Sequence, residues 1–110
     1  MCLHIDKRYH PRKKPLIAKK DIPVWKYVIP IAPAKYNSFF WNFTYERGYE
    51  YSIINKKPFG IIGWVIDRGF HSYNHRNNIN YHWIRFYIPK GSLYYIGQYG
   101  DIVSNRIVLY

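Results

Sequence analysis

The stretch from Tyr81 to Ile88 constrains the fold most, because its side chains alternate without a break. Ile84, Phe86 and Ile88 fall on one face of an extended chain, and Trp83, Arg85 and Tyr87 on the other. A period of two belongs to a strand, whose successive side chains point to opposite faces of a sheet. Composition points the same way, with sixteen Ile and five Val against two Glu, one Gln and one Met. Thirteen Tyr, six Phe and four Trp join the Ile and Val, and β-branched and aromatic side chains suit a pleated, half-buried surface. A chain of 110 residues that is 48% hydrophobic can bury the core of one domain.

Turn residues divide the chain into further strands. Ile22 to Val28 reads as the first, with Ile22, Val24, Lys26 and Val28 on one face and Pro23, Trp25 and Tyr27 on the other. Pro30 and Pro33 mark a loop after it. Phe39–Tyr45 and Tyr49–Ile54 read as a hairpin closed by Glu46, Arg47 and Gly48. Ile61–Ile66 is apolar enough for a buried strand, with a bend or bulge suggested by Gly60 and Gly63. Phe70–Tyr73 is a short extended piece, and the Asn-rich Asn74–Asn80 is a loop. Turns at Pro89–Gly91 and Gly97–Gly100 bound Leu93–Ile96, and Ile102–Leu109 closes the chain with a break at Ser104–Asn105. The expected fold is a β-rich α+β domain, a small, mostly antiparallel sandwich or barrel-like sheet with little helix.

Seventeen Lys and Arg face six Asp and Glu, for a net charge of +11. Such a field draws nucleic acid, nucleotides or an acidic protein, and the plain alternative is that it keeps the chain soluble. Residues 1–20 hold seven of the cations (Lys7, Arg8, Arg12, Lys13, Lys14, Lys19 and Lys20) against Asp6. Pro11 and Pro15 interrupt any helix there, so a basic arm, extended or partly ordered, is expected ahead of a single domain over residues 21–110. The arm reads equally as a phosphate-contacting tail and as an ordinary solvated terminus. No secretory core and no membrane-length apolar run stands in the sequence, which suggests the cytoplasm of a bacterial host and no membrane partner. The aromatic surplus suits a homo-oligomer or a tight monomer core.

Catalytic and metal chemistry find few groups. Cys2 is the one cysteine, and His71, His75 and His82 lack the companions a zinc site needs, so neither a metal nor a cofactor is expected. No Gly-x-Ser-x-Gly elbow, phosphate-binding loop or dinucleotide fingerprint occurs. Basic and aromatic residues interleave instead, as in Trp25-Lys26-Tyr27 and Trp83-Ile84-Arg85-Phe86-Tyr87. Aromatic faces stack on bases while Lys and Arg hold phosphates. For any single Trp, burial in the core is the competing explanation.

The most distinctive strings are Gly69-Phe70-His71-Ser72-Tyr73 and Ile88-Pro89-Lys90-Gly91-Ser92. With Val24-Trp25-Lys26 before them and Asp101-Ile102-Val103-Ser104 after, their order over residues 17–109 resembles a family of small phage and bacterial proteins. The order is also similar to the ADP-ribosyltransferase fold, which sets an Arg or His on an early strand, a Ser-containing string on a middle strand and a catalytic Glu on a late one. Here Lys26 takes the early place, His71-Ser72 the middle one, and no Glu follows Glu50. The resemblance therefore implies a nucleotide-binding cleft without the transferase acid.

Together these features suggest a phage-type protein that captures an anionic ligand, either a nucleotide signal or the nucleic acid of a host defence system. The expected phosphate holders are Lys26, Arg68, Arg85 and Lys90, the base stackers Trp25, Tyr73, Trp83 and Tyr87, and the hydrogen-bonding group His71. Two alternatives stay open: a basic face that docks on an acidic host protein, and a reduced transferase-like or nuclease enzyme using His71, Ser72 and Asp101.

Overall fold

The computed structural model describes residues 3–38, 43–53, 58–76 and 82–109. Cys2, Tyr81, the ends Phe39 and Ile54 of the expected hairpin and part of the Asn-rich loop, all named above, lie outside them. The described residues hold thirteen strands and no helix: β1 (Leu3–His4), β2 (Leu16–Ile17), β3 (Ile22–Ala32), β4 (Lys35–Ser38), β5 (Thr44–Glu46), β6 (Glu50–Ser52), β7 (Ile61–Ile62), β8 (Val65–Ile66), β9 (Phe70–Tyr73), β10 (Trp83–Ile88), β11 (Leu93–Ile96), β12 (Asp101–Ser104) and β13 (Arg106–Leu109). Every ladder between them is antiparallel. The main sheet runs β2-β11-β12-β9-β3-β10-β13-β6, with β4 on β3 and β5 on β4, and β1-β8-β7 form a second, small sheet. Neither sheet closes into a barrel. The fold is thus β-rich, antiparallel and open, in line with the sequence.

Alternation explains which residues face the core. On β3, Val24, Lys26 and Val28 are buried while Pro23 is exposed and Trp25 and Tyr27 half-buried; on β10, Ile84, Phe86 and Ile88 are buried and Trp83, Arg85 and Tyr87 half-buried. β12 is buried along its whole length because both of its faces are covered. Ile102 joins the larger core with Val24, Phe86 and Ile107, and its neighbour Val103 joins a second core with Leu3, Phe59, Ile66 and Tyr95. The small sheet supplies Leu3 and Ile66 to that second core.

Several expectations need correcting. β3 does not stop at Val28 ahead of a loop but runs on through Pro30 to Ala32, pairing with β4 through an irregularity between Pro30 and Ala32. Among the described residues β10 pairs with β3 only as far as Tyr27, so this half has β4 on one side alone, where a proline without an N–H is tolerated. The turn at Gly48 forms, at φ +83, yet β5 and β6 do not pair with each other. β5 pairs with β4 and β6 with β13. The Glu46 N–H donates to the Tyr51 hydroxyl at 2.8 Å instead, while Tyr45 sits in the core against Phe86. The Ile61–Ile66 run is not one buried strand but the tight hairpin β7–β8, reversing at Gly63 with φ +62 and leaving Ile62 78% exposed.

The basic segment at the N-terminus is packed onto the fold from Leu3 onwards. Leu3 pairs with Ile66 and Leu16 with Tyr94, and Leu3, Ile5, His10 and Ala18 are buried. The expected break before β13 falls at Asn105, whose side-chain oxygen accepts a hydrogen bond from the Leu93 N–H at 2.9 Å.

Candidate functional site

β3 meets β9 at one pair, Trp25 opposite Tyr73, and pairs with β4 from Val28 onwards. Lys26 and Tyr27 lie between those two points, and there a cavity of about 520 Å³ opens. Phe43, Tyr45, Tyr51 and Phe70 give it aromatic walls, Tyr27 and Tyr73 form another side, and Asp67 and Arg68 contribute exposed charges. Gly69 is required beside them: its φ is +128, and a Cβ there would clash with the Val103 side chain.

Lys26 is the unusual group. It is 8% exposed, and its ammonium donates to the His71 carbonyl. Its Nζ also lies 5.6 Å from the centre of the Tyr45 ring, a cation–π contact. None of the ion pairs among the described residues includes it. Burial lowers its pKa to about 8, because a desolvated ammonium is disfavoured. A buried cation without a counter-charge is costly, and an anion in the cavity would supply the missing partner.

His71 stands on the other side of that bond. Register sets it opposite Val103, on the face of the second core. Both ring nitrogens are buried without a hydrogen-bond partner. Burial first, and the Lys26 charge second, lower its pKa to about 4; the Asp67 backbone and carboxylate act weakly in the opposite direction. Around neutral pH the ring is therefore uncharged. Ser72 is fully buried with its Oγ also unpartnered. Adjacent residues on a strand point to opposite faces, so His71 and Ser72 do not act on a common point. Asp101, named with His71 and Ser72 for the enzymatic alternative, accepts from the Tyr99 N–H at 3.3 Å in the turn before β12, and its burial raises its pKa.

The other sequence candidates divide into two groups. Lys26, Arg68, His71 and Tyr73 line the cavity. Trp25, Trp83, Arg85 and Tyr87 stand on the outward face of β3 and β10, beside it. The Arg85 guanidinium lies 4.0 Å from the Trp25 ring centre and that of Arg76 4.9 Å away. Trp83 packs edge-on to Tyr27 and Tyr73 at 5.1 and 5.6 Å, which joins this face to the cavity wall. Lys90 belongs to neither group. It lies in the turn after β10, where its N–H donates to Asp21 at 2.8 Å. His75 is bonded to Asn74 and His82 stacks on Tyr36, and no three metal-ligating side chains converge among the described residues.

Sequence reasoning missed Phe43, Tyr45 and Tyr51, whose walls are assembled from chain segments with no common motif. Lys26 was visible as a cation at the buried parity of its strand. Comparison with protein-family models, with curated proteins and with solved structures gave no match. No helix among the described residues is long and apolar enough to cross a membrane.

Proposed function

We propose that this protein captures an anionic ligand with a planar ring, a nucleotide, in the cavity beside Lys26. The observation that carries this reading is the buried Lys26 ammonium, which faces an aromatic-walled space and belongs to no ion pair among the described residues. Phosphate on Lys26 and Arg68 would complete the charge, and a base against Tyr27, Tyr73 or Phe43 would use ring surface already arranged there. A cavity of about 520 Å³ is of the size that holds a small ligand. Capture of a nucleotide signal would suit an anti-defence role in a small phage-type protein, the kind that its Gly-Phe-His and Ile-Pro-Lys-Gly-Ser strings resemble.

Native mass spectrometry of the purified protein, with the 260/280 nm absorbance ratio before and after a high-salt wash, tests the proposal. The expected result is a high ratio that survives the wash and a small phosphorylated molecule released on denaturation. A protein-only spectrum that gains no mass when nucleoside mono-, di- or cyclic dinucleotides are added would contradict it.

A further inference from the structure

Residues 7–14 carry Lys7, Arg8, Arg12, Lys13 and Lys14, all exposed, yet their backbone is anchored at several points. The buried His10 ring uses both nitrogens: Nε2 accepts from the Ile96 N–H at 2.9 Å, so Nδ1 carries the proton it donates to the Lys14 carbonyl at 2.8 Å. The Tyr95 hydroxyl donates to the Lys13 carbonyl at 2.8 Å. Asp6, the one acid of the first twenty residues, is taken up by Arg8 at 2.8 Å. Lys13 adopts the left-handed conformation, φ +57.

The outcome is that two ammonium groups converge on one ring. Lys7 Nζ and Lys13 Nζ lie 4.8 and 4.7 Å from the centre of the Trp64 indole, in the β7–β8 turn. Each is attracted to the ring, but the two repel each other. Neither belongs to an ion pair among the described residues.

We propose that this cluster of Lys7, Lys13 and Trp64, flanked by Arg12 and Lys14, is a docking surface for the phosphate backbone of nucleic acid. It is independent of the Lys26 cavity. Fixed cations around an aromatic ring fit a chain of phosphates carrying bases. Protein interfaces, by contrast, deplete charge at their centre, where this surface concentrates it.

Fluorescence anisotropy of a short labelled oligothymidylate, titrated at several salt concentrations, tests the proposal. The wild-type protein should bind at low salt, with affinity falling steeply as salt rises. The Lys7→Gln/Lys13→Gln double variant should bind more weakly, its log–log salt slope smaller by about 1.4, because each single-strand phosphate contact contributes about 0.7. The Lys7→Arg/Lys13→Arg variant, which keeps the charges, should retain the wild-type slope, and that separates lost contacts from lost folding. Mononucleotide binding should be the same in all three, so a failed cavity and a failed surface give different results. No binding at low salt, an unchanged slope in the Gln variant, or preference for phosphatidylserine vesicles over the oligonucleotide would overturn the proposal.

Discussion

Lys26 and His71 share one hydrogen bond, and burial pushes both towards their neutral forms. For His71 the consequence appears in acid. With a pKa lowered from 6.5 to about 4, the native ring refuses a proton that the unfolded chain takes up between those values. The contribution is full above pH 6.5 and is lost as pH falls towards 4, amounting to about 3 kcal/mol. His71→Phe removes this group, so denaturant unfolding at pH 7, 5 and 4 should show the wild type losing more stability over that range than the variant. Equal losses would mean that the ring is not the acid-sensitive group. Lys26 behaves likewise at higher pH: its penalty is fully present below about 8 and fades as pH rises towards 10.5.

Single elements carry the next level of organisation. The segment from Leu3 to Ala18 is held on the sheet by His10, whose two bonds and burial join it to β11. Replacing His10 with Ala leaves the Ile96 N–H and the Lys14 carbonyl without these partners, at a cost of about 1–3 kcal/mol. The midpoint of thermal unfolding reads that loss, and a change within error would show that the segment is held by its apolar contacts alone. Elements also show what the sequence makes legible. β10 and β11 were readable because each alternates or is bounded by strong turns, and Lys26 was readable through the parity of Val24 and Val28. Pairing between strands was not, since the same turn at Gly48 serves a hairpin or two strands with different neighbours. What decided it was the packing of Tyr45 and the bond to Tyr51, neither of which is local in sequence. The apolar run at Ile61–Ile66 misled for a related reason: six apolar residues fit one strand or two short ones, and Gly63 settles it by turning the chain. The cavity walls were the least readable part, because β3, β4, β6, β9 and the segment around Phe43 meet only in the folded sheet.

At the scale of the whole molecule, a charge of +11 is distributed unequally in kind as well as in place. Most cations stand at the surface, where solvent screens them. Lys26 is held inside, and the fold keeps it at a cost of about 3 kcal/mol in its charged form at pH 7. Groups that a fold retains against its own stability are candidates for function. The central claim, that Lys26 is kept to meet an anion, predicts opposite effects on stability and on binding. The decisive measurement is a calorimetric titration of the co-purified nucleotide into wild-type protein and Lys26→Met, with thermal unfolding of both in the same buffer at pH 7. Met keeps the length and removes the charge, so the variant should be as stable as the wild type or up to about 2 kcal/mol more stable, the lost bond to His71 offsetting part of the gain. Its affinity should fall at least about tenfold, the loss of one charge-assisted hydrogen bond. Unchanged affinity, or a variant that is less stable, would show that Lys26 serves the fold and not a ligand.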